Sequence, residues 1–193
     1  MLLCAAAFAA DNAAPTLGQT LDNQFRNADR EIVPLAEAMP AEKYNFAPTN
    51  GEFKGVRTFA LQVRHMETYI YMLSATILEQ QPPVDIGPPS NDFNGPDALR
   101  TKEQIIDYLK GAVAYGHKAL QSISEKNFMD QVGRPTGGPK MARIAAATFM
   151  MYHDMDHYGQ MVEYLRMNGI IPPASRPRPP QQQPASSQPK PQQ

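Results

Sequence analysis

The chain has 193 residues, with 18 lysine and arginine residues against 19 acidic residues and a net charge of −1 at pH 7. This length favours one domain with a sizeable core, and the balanced charge provides no field that would attract nucleic acid or an anionic membrane surface. Eleven methionines and the absence of tryptophan fit helical packing better than a sandwich of short strands. We therefore expect a mostly helical protein that does not bind nucleic acid.

Residues 1–12 resemble the end of a secretory signal. Their apolar run closes with Ala7-Phe8-Ala9, an A-x-A-like cleavage site, but no basic residue precedes the run. We interpret them as an incomplete signal segment and expect a secreted or periplasmic protein; without a working signal the location would be cytoplasmic. The single cysteine, Cys4, lies here, so a processed chain would have neither disulfides nor a cysteine nucleophile. No other stretch reaches the roughly 18 apolar residues of a membrane span.

Residues 13–173 contain four segments in which apolar residues recur every three or four positions, as on one face of an α-helix. The predicted helices cover residues 17 to 39, with Pro34 as a kink, 56 to 77, 101 to 123, and 141 to 168. Segments rich in proline and glycine precede the third and fourth helices and predict long loops. Four helices without strand-like alternation predict an all-α four-helix bundle.

Residues 174–193 are mainly proline and glutamine and offer almost nothing to bury. This composition predicts a disordered C-terminal tail.

His153 and His157 lie four residues apart in the fourth predicted helix. They differ by about 40° around the helix axis and about 6 Å along it, so both side chains could reach one ion. We place them beside the apolar stripe of this helix, on a second face. The predicted stripe comprises Met141, Ile144, Ala145, Thr148, Tyr152, Met155, Gly159 and Val162.

His65, on the second predicted helix, also lies beside the apolar stripe of its helix. Together with His153 and His157 it would provide three neutral imidazoles for zinc, nickel or a similar divalent ion, leaving a position for water or substrate. An open position of this kind is typical of catalytic sites. The alternative is a purely structural bundle with solvated histidines. The fourth histidine, His117, is expected to be solvated and is not assigned to the site.

The sequence His-Asp-x-x-His at 153–157 invites comparison with the HExxH motif of zinc proteases, in which the glutamate is the general base. Aspartate is one methylene shorter and no further ligand follows, so we disfavour a protease. Asp154 and Asp156 are interpreted as solvated or as acceptors for imidazole N–H groups. Gln160 is either an orienting residue for a ligand or bound water, or an interhelical hydrogen-bonding residue.

Two stretches, VRHMETYIYML at 63–73 and HDMDHYGQMVEYLRMNGIIPP at 153–173, resemble the DinB/YfiT-like family. The resemblance spans about residues 17 to 173. It implies a four-helix bundle that holds a divalent metal through His65, His153 and His157. Many relatives have a further histidine where this chain has Asp156, but that position is not usually a ligand.

The resemblance implies a function in general terms, because relatives include thiol-dependent transferases and isomerases as well as metal-dependent hydrolases. We expect a metal-dependent hydrolase or thiol-dependent transferase that activates a water or a thiol at the ion and acts on a small-molecule substrate. The alternative is a non-catalytic metal- or ligand-binding helical module. No catalytic residue stands out beyond the metal ligands. A secretory leader argues against the transferase, because small thiols are mainly cytosolic, and a homodimer is left open.

Overall fold

Four α-helices joined by loops form the fold of this chain, as the computed structural model describes it for residues 14–177. The helices are α1 (Leu17–Ala38), α2 (Phe59–Leu78), α3 (Lys102–Gln121) and α4 (Arg143–Met167). Short 3-10 helices occur at Ala41–Lys43, Pro89–Asn91 and Pro173–Ser175, and two strands, β1 (Gln131–Val132) and β2 (Met141–Ala142), pair antiparallel. The prediction of an all-α four-helix bundle is confirmed.

The predicted signal segment, residues 1–12 with Cys4, lies outside the described residues, as does the chain after residue 177. The 3-10 helix Pro173–Ser175 packs against α1, so the ordered chain continues into the first residues of the predicted tail. Within residues 14–177, no helix combines the length and the apolar character needed to cross a membrane.

Threonine side chains set the beginnings of the first three helices. Thr16 and Thr101 each accept a hydrogen bond from the backbone three residues ahead and form capping boxes at α1 and α3. Thr58 caps α2 in the same way, accepting from the Leu61 backbone N–H at 3.3 Å. The cap explains why α2 begins at Phe59 and not at Val56, where the apolar pattern begins.

The fourth helix begins two residues later than predicted. Met141 and Ala142 form β2, and α4 starts at Arg143. The predicted helix start at Met141 is therefore wrong. A strand of two residues is too short to produce the alternation by which a sequence reveals strands.

The core surrounds α2, most of whose residues are buried, and which packs against both α3 and α4. The predicted apolar stripe of α4 is wrong, since Ala145, Thr148, Tyr152, Met155 and Gly159 are exposed. Apolar residues occupy most sides of α4, so the helical period fits more than one stripe. The face of α4 that is buried consists of Arg143, Ala146, Ala147, Met150, Asp154, His157, Met161, Tyr164 and Leu165.

Candidate metal centre

Three histidines converge where α2 packs against α4. One ring nitrogen from each of His65, His153 and His157 lies within 4.8 Å of the others. The Nε2 atoms of His153 and His157 are 3.2 Å apart. Two nitrogens bound at about 2.1 Å to one tetrahedral ion would be about 3.4 Å apart. The spacing therefore suits a shared cation, and the three predicted residues are brought together.

Burial holds all three imidazoles in the neutral form that binds cations. His65 and His157 are almost fully buried and His153 is half-buried. The pKa of each is lowered to about 4. Desolvation is the main cause, and a neighbouring imidazole and the Arg57 guanidinium contribute. At pH 7 each ring therefore has a free lone pair, and protons do not compete with a metal ion.

A glutamine of α2 orients the second histidine of α4. The His157 Nδ1–H donates to Gln62 Oε1 at 2.5 Å, which leaves the Nε2 lone pair for an ion. Gln62 Nε2 in turn donates to Gln160 Oε1 at 2.8 Å, and Gln160 Nε2 donates to the exposed Asp156 at 3.0 Å. Gln160 is thus an interhelical hydrogen-bonding residue. The role of Gln62 was not predicted, although its place one turn before His65 on α2 was a usable signal.

A backbone carbonyl in the loop between α2 and α3 orients His65. The His65 Nδ1–H donates to the Asp92 carbonyl at 2.9 Å. Asp92 and Phe93 both adopt left-handed backbone conformations, with φ of 60° and 55°. Such a conformation is uncommon for aspartate and strained for a bulky residue such as phenylalanine. The role of this loop could not be predicted from the sequence, because a contact made by the backbone leaves no residue pattern.

Aromatic rings enclose the side of the centre next to His153. The Tyr69 ring lies 4.2 Å from the His153 ring between centroids, and Phe149 meets His153 edge-on at 5.6 Å. Phe93 packs edge-on against Tyr69 at 5.4 Å. His153 Nδ1 is buried and has no hydrogen-bond partner among residues 14–177. This ring is therefore positioned by packing, in contrast to the hydrogen-bonded rings of His65 and His157.

Comparison with known proteins places the chain in a family. The family model described as the DinB superfamily matches residues 24–161. The chain belongs to the DinB superfamily. No curated protein is significantly similar to it in sequence.

Solved structures share the DinB fold at low sequence identity. A DinB-like protein from Bacillus cereus is 16% identical, with a TM-score of 0.59 over 79% of this chain and 93% of that one. A conserved protein from Enterococcus faecalis is 16% identical, with a TM-score of 0.61 over 80% and 98% of the two chains. A DinB-like protein from Bacillus subtilis is 18% identical, with a TM-score of 0.59 over 78% and 92%. At these identities the likeness establishes the fold alone.

The surroundings of Asp154 in this DinB-superfamily chain differ from those predicted. Its side chain is fully buried, and neither carboxylate oxygen has a hydrogen-bond partner among the described residues. The expectation that it is solvated or accepts from an imidazole is therefore wrong. Burial raises its pKa well above the usual value, which favours the protonated acid. Asp156 is exposed, as expected.

The prediction that His117 is solvated is also wrong. Its Nδ1 lies 2.6 Å from Asp22 Oδ1 and its Nε2 lies 2.6 Å from Asp29 Oδ2. Both carboxylates belong to α1, so His117 links α3 to α1. The Phe25 ring packs against it edge-on at 5.0 Å. His117 takes no part in the three-histidine group.

Proposed function

We propose that this protein binds a divalent metal ion through His65, His153 and His157 and is a metal-dependent enzyme acting on a small molecule. The observation that carries the proposal is the convergence of three neutral imidazole nitrogens within 4.8 Å of one another. Zinc or nickel suits a set of three imidazoles best. Three protein ligands leave a position for water or substrate, which distinguishes catalytic from structural zinc sites.

A bound ion would lower the pKa of a water or thiol in the open position, which suits hydrolysis or thiol transfer. The chain's own residues orient and shield this position. Gln62 and the Asp92 carbonyl fix two ring tautomers, and the rings of Tyr69 and Phe149 exclude water on one side. Burial raises the pKa of Tyr69, so its hydroxyl is suited to donate a hydrogen bond and not to act as a base.

A non-catalytic metal-binding module is the alternative. It is favoured by the aromatic surroundings of the histidines, because an enzyme site is expected to have several convergent polar groups. Five surface clefts of the described residues, of up to about 600 Å³, are not lined by His65, His153 or His157. This too favours the binding module.

We also propose that residues 1–12 direct the protein out of the cytoplasm and that residues 13–173 form the functional domain, followed by a spacer. Fractionation of cells that express the full-length protein tests the first part. Recovery outside the cytoplasm favours hydrolysis or binding, whereas cytosolic recovery favours thiol transfer.

Activity measurements on metal-loaded protein test the enzyme proposal. Hydrolysis of activated esters and conjugation of a small thiol to an electrophilic arene should be followed with zinc and with nickel. We expect one activity to be lost on chelation, recovered on adding the ion, and absent in His157→Ala. Met155→Ala, at an exposed position of α4, is the matched control and should be fully active. Activity that survives both chelation and the loss of His157 would contradict the proposal, and metal-loaded protein without either activity would support the binding module.

A further inference from the structure

An arginine at the edge of the metal centre shares a hydrogen-bond acceptor with one of the proposed ligands. Arg57 Nη2 lies 3.5 Å from the Asp92 carbonyl oxygen, and His65 Nδ1 donates to the same oxygen at 2.9 Å. The Tyr164 hydroxyl of α4 donates to the Arg57 carbonyl at 3.0 Å, which ties the arginine backbone to the helix that carries the other two histidines. Arg57 is therefore held beside the centre by the loop between α2 and α3 and by α4.

The guanidinium is only partly occupied by protein contacts. Its Nε donates to Asn94 Oδ1 at 2.9 Å and its Nη2 forms an ion pair with the Asp92 carboxylate. The hydrogen bonds that the guanidinium makes within residues 14–177 use Nε and Nη2. The Asp92 side chain is 75% exposed, against 24% for Arg57. An ion pair with so exposed a partner contributes little, so Arg57 can exchange the Asp92 carboxylate for another anion at small cost.

Breaking this ion pair would not disturb the orientation of His65. The imidazole is held by the Asp92 backbone carbonyl, and the ion pair uses the Asp92 side chain. The left-handed backbone at Asp92 and Phe93 directs the carbonyl inward while the carboxylate points to solvent. The backbone of Asp92 therefore supports His65, while the side chain of the same residue neutralises Arg57.

The charges around the centre favour an anionic ligand. Three neutral imidazoles leave the full double charge of a bound ion uncompensated. Arg57 adds a further positive charge beside His65, which the exposed carboxylates of Asp92 and Asp156 offset only in part. An anion that binds the ion and Arg57 together would gain charge-assisted contacts from both.

We propose that Arg57 is the second binding contact of an oxyanion, a carboxylate or phosphate group of the substrate, that would bind the ion at a further position beside the activated water or thiol. This inference rests on the proposed metal site. It narrows the substrate class to small molecules with an oxyanion beside the reacting atom. It also implies that the Asp92 carboxylate competes with this oxyanion for Arg57.

Anion titration of cobalt-loaded protein tests this inference. Full-length wild type, Arg57→Gln, Asp92→Asn and Arg166→Gln are loaded with cobalt(II), and inorganic phosphate and acetate are added while the visible absorption of the ion is recorded. Arg166 is the matched control, because it is an exposed arginine paired with Glu163 near the end of α4. Asp92→Asn keeps the backbone carbonyl, and asparagine tolerates the left-handed conformation. Circular dichroism checks that each variant is folded.

We expect Arg57→Gln to weaken anion binding by about tenfold or more, as the loss of a charge-assisted hydrogen bond implies. Asp92→Asn should strengthen it severalfold by freeing the guanidinium, and Arg166→Gln should match wild type. Cobalt-loaded protein whose anion affinity is the same in wild type, Arg57→Gln and Asp92→Asn would overturn the inference and leave the metal proposal intact. Wild type that takes up no cobalt would overturn the metal proposal itself. Should Arg57→Gln fail to fold, the increase expected for Asp92→Asn decides the matter alone.

Discussion

Gln62 is the residue on which the orientation of His157 depends. It is almost fully buried and accepts from the His157 Nδ1–H at 2.5 Å. We predict that Gln62→Leu lowers the affinity for zinc by about 10- to 100-fold, because the ring loses the contact that fixes its tautomer. Competition with a chromophoric chelator measures this. Gln160→Leu is the control, since Gln160 reaches the histidine only through Gln62, and should change the affinity severalfold at most. Equal affinities for wild type and Gln62→Leu would show that packing alone positions His157.

Glu67 is a buried carboxyl group that the folded state has to keep protonated. It is fully buried on α2, and neither oxygen has a hydrogen-bond partner among the described residues. Burial raises its pKa well above the usual 4.5, although the nearby Arg64 guanidinium acts in the opposite direction. The unfolded chain releases this proton above about pH 4.5, whereas the folded chain keeps it up to its raised pKa. Stability is therefore lost as the pH rises from about 4.5 towards the raised pKa.

We therefore predict that Glu67→Gln, which keeps the shape and removes the ionisable group, raises the free energy of unfolding at pH 7 by about 1–2 kcal/mol. The gain should shrink towards pH 4. Urea unfolding at several pH values measures it, with the exposed Glu163→Gln as the control. A Glu67→Gln variant that is less stable than wild type at pH 7 would indicate that the ionised carboxylate has a partner in the fold.

Single residues also mark where sequence reasoning fails. His117 was assigned to solvent, and Asp154 to solvent or to an imidazole N–H, because their own helices give no sign of another partner. The carboxylates that hold His117 lie on α1, 95 and 88 residues away, and the burial of Asp154 depends on which face of α4 meets the core. Contacts made across the fold leave no local spacing for a single sequence to reveal.

At the scale of elements, a glycine permits the close packing of α3 on the core. A Cβ atom at Gly116 would lie 2.7 Å from Phe25 Cε1 and 3.3 Å from Ile70 Cγ2. Phe25 is fully buried and cannot move away easily. We predict that Gly116→Ala lowers the free energy of unfolding by about 1–3 kcal/mol, since overpacking outweighs the better helix propensity of alanine.

The control for this prediction is Gly159→Ala on α4, where an added Cβ would have no neighbour within 4 Å. Here helix propensity should act alone and stabilise by about 0.5–1 kcal/mol. Thermal unfolding followed by circular dichroism compares the two. Changes of the same sign in both variants would contradict the packing of α3 described here.

Helix existence was predictable from sequence, but the buried face of α4 was not. The apolar periods located all four helices to within a few residues. The predicted stripe through Thr148, Tyr152 and Met155 nevertheless faces solvent, because α4 is apolar on most sides and small alanines at 146 and 147 fill the tight contact with the core. Periodicity gives a stripe, and packing decides among stripes of similar hydrophobicity.

At the scale of the whole molecule, the three histidines make the metal-free fold sensitive to acid. Burial lowers the pKa of each to about 4 in the folded state, against about 6.5 when exposed. Above pH 6.5 the rings are neutral in both states, so the contribution of the histidines to stability is fully present. As the pH falls from 6.5 towards 4, the unfolded chain takes up protons that the folded chain refuses, so stability is lost.

The raised pKa values of the buried Glu67 and Asp154 carboxyls act in the opposite direction over this window. We predict that the free energy of unfolding of metal-free protein still falls as the pH drops towards 4, because three histidines outweigh two acids, and that His153→Gln falls less steeply. Urea titrations between pH 4 and 7 in the presence of a chelator measure both slopes. Identical slopes for wild type and His153→Gln would mean that His153 is protonated in the folded state.

The bundle and the three histidines could be predicted together because helical spacing and the DinB resemblance both point to His65, His153 and His157. The supporting contacts could not. The Gln62 amide and the Asp92 carbonyl contact histidines that are far away in sequence or outside their own element. A backbone carbonyl is also common to every residue, so it marks no position in the sequence. The central proposal, that these histidines bind one ion, rests on their convergence where α2 packs against α4.

Elemental analysis of the purified, untagged full-length protein tests that claim most directly. We predict about one zinc or nickel ion per wild-type chain, and loss of the ion in His157→Ala with its helical content unchanged. Met155→Ala should keep the ion. Wild-type protein without a stoichiometric divalent metal after exposure to zinc and nickel, or His157→Ala with the same metal content as wild type, would contradict the account.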